Sequence, residues 1–314
     1  MYLLESHKLL MSDPKHQSEK IGDYSKIRKK SLRERLTQVE NLVRRYAPLP
    51  VTYDIGRLQQ PYFSEYTYND SMDAIYVTPQ SSEIAARMAI LALEDEVNPR
   101  FDFSVSFEKG RNELNQFDKY NLDEANTIFP KKVVFPPGSN MLSKIVSKEN
   151  LFRLMYEDPE VMIKPHPLTN SEHIRKLGRD FGYHRLLSPN TGSERILENV
   201  DVMWGTTASE MPVRAALMGK RVLNISNFFE EQVGSHLPIN RLLWNVDGEE
   251  AKIRATRVLG SPLGGFFFAE DPNLAENLQL YFAKTMEIRD TCKNVTYSMP
   301  DHLKLEVWKR EGQK

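Results

Sequence analysis

The chain predicts an α/β protein of two Rossmann-like domains, with a basic helical segment in front of them. Three observations carry that expectation. Short apolar runs such as Val161-Met162-Ile163 and Arg221-Val222-Leu223-Asn224-Ile225 have the near-continuous hydrophobicity of strands covered on both faces. Between such runs stand segments with apolar residues at helical spacing, so strand and helix alternate as in a parallel sheet with right-handed crossovers. The chain's 314 residues suit two cores better than one.

Composition removes several classes of function. Hydrophobic residues make up 40% of the chain and charged ones 27%, the balance of a soluble globular protein. A net charge of -1 gives no global attraction to nucleic acid or to a membrane. The single cysteine, Cys292, excludes an intrachain disulfide and a cysteine-rich metal site. No apolar run approaches the ~20 residues that span a bilayer. The opening residues Met1–Leu10 are too short and too charged for a secretory signal. The expected address is the cytoplasm, that of a host cell were the chain phage-encoded.

Taken in order, residues 1–47 read as helical and basic. Leu32, Leu36, Val39 and Val43 recur at helical spacing, while Lys29, Lys30 and Arg33 belong to a surplus of positive charge. That face is either simply solvated or a landing strip for an anionic acceptor: a polysaccharide, an anionic lipid surface or nucleic acid. The stretch from Pro48 to Asp70 looks turn-rich and carries Tyr53, Tyr62, Phe63, Tyr66 and Tyr68, a sugar-binding wall or packing for the first helix. Ala74–Val77 reads as a strand, Ile84–Leu93 as a helix, and Phe101–Phe107 and Val133–Phe135 as further strands. Pro136-Pro137-Gly138 stops the last of these and marks a domain boundary.

The second half repeats the rhythm. Helices are expected over Met141–Tyr156, Ser171–Phe181 and Ser193–Glu198, with strands at Val161–Ile163, His184–Leu187 and Val200–Trp204. Gly205-Thr206-Thr207-Ala208-Ser209-Glu210 should open a helix running to Met218, closed by Gly219 and followed by the strand Arg221–Ile225. Helices near Gly248–Leu259 and Pro272–Arg289 complete the chain.

Chemistry gathers at two predicted strand ends. Val161-Met162-Ile163 runs into Lys164-Pro165-His166-Pro167, where two prolines end strand pairing and fix a bend. Lys164 and His166 are thereby expected at the carboxyl edge of the sheet, the ligand side of open α/β folds. The second end is the hydroxyl cluster Thr206, Thr207 and Ser209. A helix opening on such residues offers amides and partial positive charge to a phosphate or carboxylate, although one hydroxyl would serve equally as its cap. Glu210 and Arg214 stand one turn apart and can pair, or Arg214 and Lys220 can face an anion.

Lys164-Pro165-His166-Pro167, then about forty residues, then the hydroxyl cluster and Ala215-Ala216-Leu217-Met218-Gly219-Lys220-Arg221-Val222, resembles the nucleotide-sugar domain of GT-B glycosyltransferases. The likeness is to the groups with a His-Pro motif: bacterial sialyltransferases, capsule Kdo transferases and, more distantly, CDP-glycerol polymerases. It covers residues 155–226. It implies two Rossmann-like domains facing across a cleft: 1–137 on the acceptor side, 138–271 for the donor, and 272–314 as a helical tail crossing back. It implies a nucleotide-sugar co-substrate, no cofactor, and a glycan acceptor; the basic first helix adds a hydroxylated base in phage-type DNA as a second option. By the same resemblance His166 binds the donor phosphate and assists departure of the nucleotide. Lys164, Pro167, Thr206, Thr207, Ser209, Glu210 and Arg214 complete the donor site; Lys29, Lys30 and Arg33, on the basic first helix, are the candidates from charge alone to receive the acceptor. Where many relatives carry a glutamate, this chain has Arg214, and Glu210 is the candidate replacement.

The expected reaction is metal-independent, since no Asp-x-Asp motif is well placed and cationic and amide donors can stabilise the leaving nucleotide. The acceptor needs a base, for which Asp70, Asp73, Asp102 and above all Glu83 are candidates. A nucleotide-sugar epimerase on the same fold, or a non-catalytic sugar-nucleotide-binding subunit, are the competing readings. Nothing in the residue pattern sets an oligomeric state.

Overall fold

The computed structural model describes residues 30–49, 51–53, 66–71, 74–79, 82–95, 128–138, 145–167, 169–207, 209–226 and 239–298. In chain order the elements begin with α1 (Lys30–Tyr46), β1 (Val51–Tyr53), β2 (Tyr66–Ser71), β3 (Ala74–Pro79), α2 (Ser82–Glu94) and β4 (Lys132–Val134). They continue with α3 (Lys148–Glu157), β5 (Met162–Ile163), α4 (Ser171–Phe181), α5 (Ser193–Asn199), β6 (Val202–Gly205), α6 (Met211–Leu217) and β7 (Arg221–Asn224). Last come α7 (Asn240–Leu243), α8 (Gly248–Gly260), β8 (Phe266–Phe268) and α9 (Leu274–Ser298). Contacts sort them into two compact units, one drawing on Phe107–Ala255 and the other on Arg33–Ser106 with Thr256–Lys314.

The second of these units holds a mixed sheet in the order β1-β2-β3-β8. β1 and β2 run parallel, whereas β2 with β3 and β3 with β8 are antiparallel. Its described strands therefore form no Rossmann-like parallel sheet, contrary to the expectation for the first domain. The tyrosine-rich stretch expected as turns supplies β1 and β2, because Tyr, Thr and Val favour a pleated strand. Every residue of β3 is buried. β8 was not anticipated: it is three phenylalanines, all buried, that pair with Ala74–Tyr76. Gly265 turns the chain into β8 with φ +78°, and its carbonyl accepts from Val77 N at 2.8 Å. From α9, Tyr281 donates its hydroxyl to Val77 O at 2.7 Å and packs edge-on against Phe267. Leu36, Val39 and Val43 form the buried stripe of α1. The strand expected at Phe101–Phe107 lies outside the described residues.

The other unit holds a parallel sheet in the order β5-β4-β6-β7. Leu186 adds a single parallel bridge to Ile163 on the outer side of β5. Numbered by their place in the chain, these five segments lie 3-2-1-4-5, the order of doubly wound α/β sheets. β4 is thus central, flanked by β5 and β6, although its sequence had placed it at the end of the first domain. Its buried Val133, Val134 and Phe135 suit a strand with neighbours on both sides. Leu151 and Met155 of α3 and Leu177 of α4 join Val134, Val161, Ile163 and Ile225 in one apolar cluster.

Two helices begin later in the chain than the residue at which their sequence is expected to open a helix, although Ile145, ahead of the first of them, is itself helical. α3 starts at Lys148 because Ser147 caps it, accepting from Asn150 N at 3.2 Å. α6 starts only at Met211, with Pro212 in its first turn, so Gly205 ends β6 and Thr206, Thr207, Ser209 and Glu210 lie outside any helix. His184–Leu187, expected as a strand, is a 3-10 turn over Tyr183–Arg185 followed by the Leu186 bridge. Gly219 closes α6 with φ +69°, as the Gly-Lys pair predicted.

Candidate functional site

A doubly wound sheet has a switch point, where successive connections leave neighbouring strands in opposite directions and a crevice opens outside their carboxyl ends. Here that point lies between β4 and β6, since the chain steps from β4 outward to β5 and then returns to β6 on the other side. Three loops meet the sheet at this edge: Phe135–Gly138 after β4, Lys164–Pro167 after β5 and Thr206–Glu210 after β6. Phe135 N donates to Trp204 O and Lys164 N to Val134 O, both at 2.9 Å, so the loops leave from strands in tight register. Pro136-Pro137-Gly138, taken from sequence as a boundary between domains, stands instead between the two predicted motifs.

In the loop after β5, Pro165 is buried, and His166 and Pro167 are half-buried. His166 accepts from Thr169 N through its carbonyl at 2.8 Å, which closes the bend one residue before Asn170 caps α4. Lys164 is 1% exposed. Its ammonium donates to Pro165 O and Pro189 O, each at 3.0 Å. The ammonium expected to meet an anion therefore spends two of its three N–H groups on backbone carbonyls, tying the bend to the following loop. Burial of a charge is tolerated only with such partners. Arg185 does comparable work at the amino end of β5, donating to Val161 O at 2.8 Å and Asp158 O at 2.7 Å.

The loop after β6 departs further from expectation. Amides of a helix start were expected to be free for an anion. Thr207 N instead donates to Ser226 Oγ at 3.3 Å, Ser209 N to Thr206 O at 3.2 Å, and Met211 N to Ser209 Oγ at 3.2 Å. These three amides are committed, two within the loop and one to Ser226 beyond it. The Thr206 and Thr207 hydroxyls are the groups left over: both residues are wholly buried, and neither Oγ1 has a hydrogen-bond partner. Orphaned buried hydroxyls are uncommon and cost about 1–3 kcal/mol each, which an acceptor-rich ligand would recover. A ligand reaches them only with local rearrangement, since no part of either residue is exposed.

Glu210 and Arg214 form the i,i+4 pair at 3.2 Å, with side chains 16% and 5% exposed. Lys220 donates to Glu198 O at 3.2 Å. Two contributors to the site carried no signal in the motifs. Ser226, just after β7, orients the Thr207 amide, and Asn240 of α7 binds the loop carbonyls. Of the candidate bases, Asp70 falls in β2 and Glu83 in the first turn of α2, while Asp73 and Asp102 lie outside the described residues. Lys30 and Arg33 stand in the first turn of α1, and Lys29 lies outside the described residues. Among the described residues no group of three or more His, Cys, Asp or Glu is gathered so as to hold a metal ion, and no helix is long and apolar enough to cross a membrane.

No family model and no curated protein sequence matches the chain. Three solved chains do match in structure. One is the beta Kdo 2,7 transferase KpsC of Thermosulfurimonas dismutans, at 15% identity and a TM-score of 0.35, covering 70% of this chain and 78% of that one. Another is the glycotransferase of kitacinnamycin, at 14% identity and a TM-score of 0.26, covering 55% of this chain and 45% of that one. What the coordinates define is the class: an α/β protein whose parallel sheet is doubly wound, with a polar strand-end site at its switch point.

Proposed function

We propose that the protein is a nucleotide-sugar-dependent glycosyltransferase, transferring a sugar to a glycan hydroxyl without a metal ion. The observation that carries this reading is the placement of two motifs at one sheet edge. A proline-framed His166 and two orphaned threonine hydroxyls stand on either side of β4, next to the switch point where such sheets bind nucleotides.

In this reading the donor's phosphate lies over the carboxyl end of β4. Thr206 and Thr207 donate their hydroxyls to it, and His166 donates a ring N–H. The bond between the anomeric carbon and the phosphate oxygen breaks, and its electron pair stays on the nucleotide, where these donors stabilise it. The acceptor oxygen bonds to the anomeric carbon, and its proton passes to a carboxylate acting as general base. Lys164 holds the bend that displays His166, and Pro167 stiffens it. Glu210, paired to Arg214, is the candidate for the nucleotide's ribose hydroxyls. The acceptor is proposed as a glycan, as the resemblance to the His-Pro-motif groups implies.

A panel of CMP, CDP, UDP and GDP in a thermal-shift assay tests the donor site: one nucleotide should raise the melting temperature by mass action. With the matching sugar nucleotide, His166→Ala should lower transfer by about 100- to 1,000-fold, the usual loss for a donor at a developing oxyanion. Transfer at the parent rate in that variant refutes the assignment. Addition of EDTA should leave the rate unchanged. Turnover of the sugar nucleotide to an isomer with no acceptor present would identify an epimerase instead.

A further inference from the structure

The loop after β6 is held by a residue outside every motif of the sequence. Asn240, the first residue of α7, is fully buried. Its side-chain amide donates to three carbonyls of that loop: Ser209 O at 2.7 Å, Thr206 O at 3.2 Å and Thr207 O at 3.4 Å. An amide has two N–H groups, so three acceptors share them, and α7 is packed against α6 to bring them within reach. Asn240 Oδ1 is itself buried without a partner, the third such atom in this cluster beside Thr206 Oγ1 and Thr207 Oγ1.

Threonine is stiff at χ1, so once its backbone is fixed its hydroxyl has few places to go. Ser226 holds the Thr207 amide from one side, and Asn240 holds the Thr206 and Thr207 carbonyls from the other. The orientation of both hydroxyls is then set by residues that carry no chemistry themselves. We infer that Asn240 is the positioning residue of the donor site: it fixes the Thr206 and Thr207 hydroxyls for an oxygen-rich acceptor group, the phosphate of a nucleotide. This rests on the reading of that loop as the donor site.

The test compares the full-length parent with Asn240→Ala and with Asn240→Asp, which keeps the volume and loses the N–H donors. Hydrogen exchange over residues 205–211 should quicken about tenfold in both variants, with β4 unchanged, as expected for loss of one shared hydrogen-bonded contact. The dissociation constant of whichever of CMP, CDP, UDP and GDP binds the parent should rise by about tenfold. Quickened exchange with affinity held within about twofold makes Asn240 a purely structural residue and overturns the inference. Should neither variant fold, the parent alone decides: the bound nucleotide must slow exchange over 205–211, and absence of that protection refutes the role. A parent that binds none of the four nucleotides removes the donor-site reading itself, a failure visible without any variant.

Discussion

At the scale of single residues, the site is governed by what each polar group has already spent. Lys164 is the clearest instance. In Lys-Pro-His-Pro an ammonium beside an imidazole reads as an anion trap, yet the group is taken by Pro165 O and by Pro189 O, which is 25 residues further on. That partner cannot be seen from the motif, because it depends on where a later loop returns. Lys164→Met should therefore act on stability, lowering it by about 1–3 kcal/mol as buried carbonyls lose their donor, measurable by denaturant midpoint. Thr207 is the opposite case. Its hydroxyl is buried and unpartnered, so Thr207→Val, which swaps the hydroxyl for a methyl of like shape, should leave stability unchanged or raise it while weakening nucleotide binding by about tenfold. A variant less stable than the parent would show that the hydroxyl has a partner within the fold. The hydroxyl cluster itself was legible in the sequence. Which of its groups were available was not, since Ser226 and Asn240 lie beyond the motif.

At the scale of elements, the strands and helices with strong periodicity were readable and those set by distant pairing were not. α2, α4 and β7 fall close to their apolar patterns because spacing alone specifies a buried face. β1 and β2 looked like turns, since strand character there comes from the pairing of β1 with β2 and of β2 with β3 rather than from hydrophobicity. β8 depends on Gly265. An added Cβ there would stand 2.4 Å from Val77 O, in a backbone conformation that costs an L-residue about 1–2 kcal/mol. Gly265→Ala should thus cost at least that much and loosen β3 against β8, seen as faster amide exchange at Val77 with β4 unaffected. In the other unit Lys132 at the start of β4 pairs with Asp158 at 2.8 Å and Glu160 at 3.0 Å. The hydrogen bond from Lys132 holds the Asp158 carboxyl below the usual range, and the bond to Asp158 holds the Lys132 ammonium above its own. A depressed carboxylate stabilises above its unfolded value, near pH ~4, and that contribution disappears as pH falls through the folded value. Melting curves of the parent and Asp158→Asn should therefore differ at neutral pH and converge in acid. Curves that stay parallel throughout would mean the pair contributes nothing.

At the scale of the whole molecule, strand order decides where chemistry can sit, and strand order is what a sequence conceals most. Lys132–Val134 reads as one more short apolar run, and the Pro-Pro-Gly that follows reads as punctuation. Only its parallel pairing with both β5 and β6 makes it the central strand and turns that punctuation into the middle loop of the site. The two flanking motifs were recognisable alone, but their nearness to a common switch point was not, because it requires the chain to reverse direction about β4. This gives a prediction that depends on topology rather than on any one side chain. If a nucleotide binds at the switch point, its footprint must be discontinuous in sequence and contiguous along the sheet edge. Hydrogen exchange with and without the tight nucleotide should show protection at 135–138, 164–167 and 205–211 together. Protection confined to one of the three loops would place the ligand off the switch point. Protection at the amino ends of β4 and β6, around Lys132 and Val202, would put it on the opposite edge, and the doubly wound logic of the site would then fail while the fold stood.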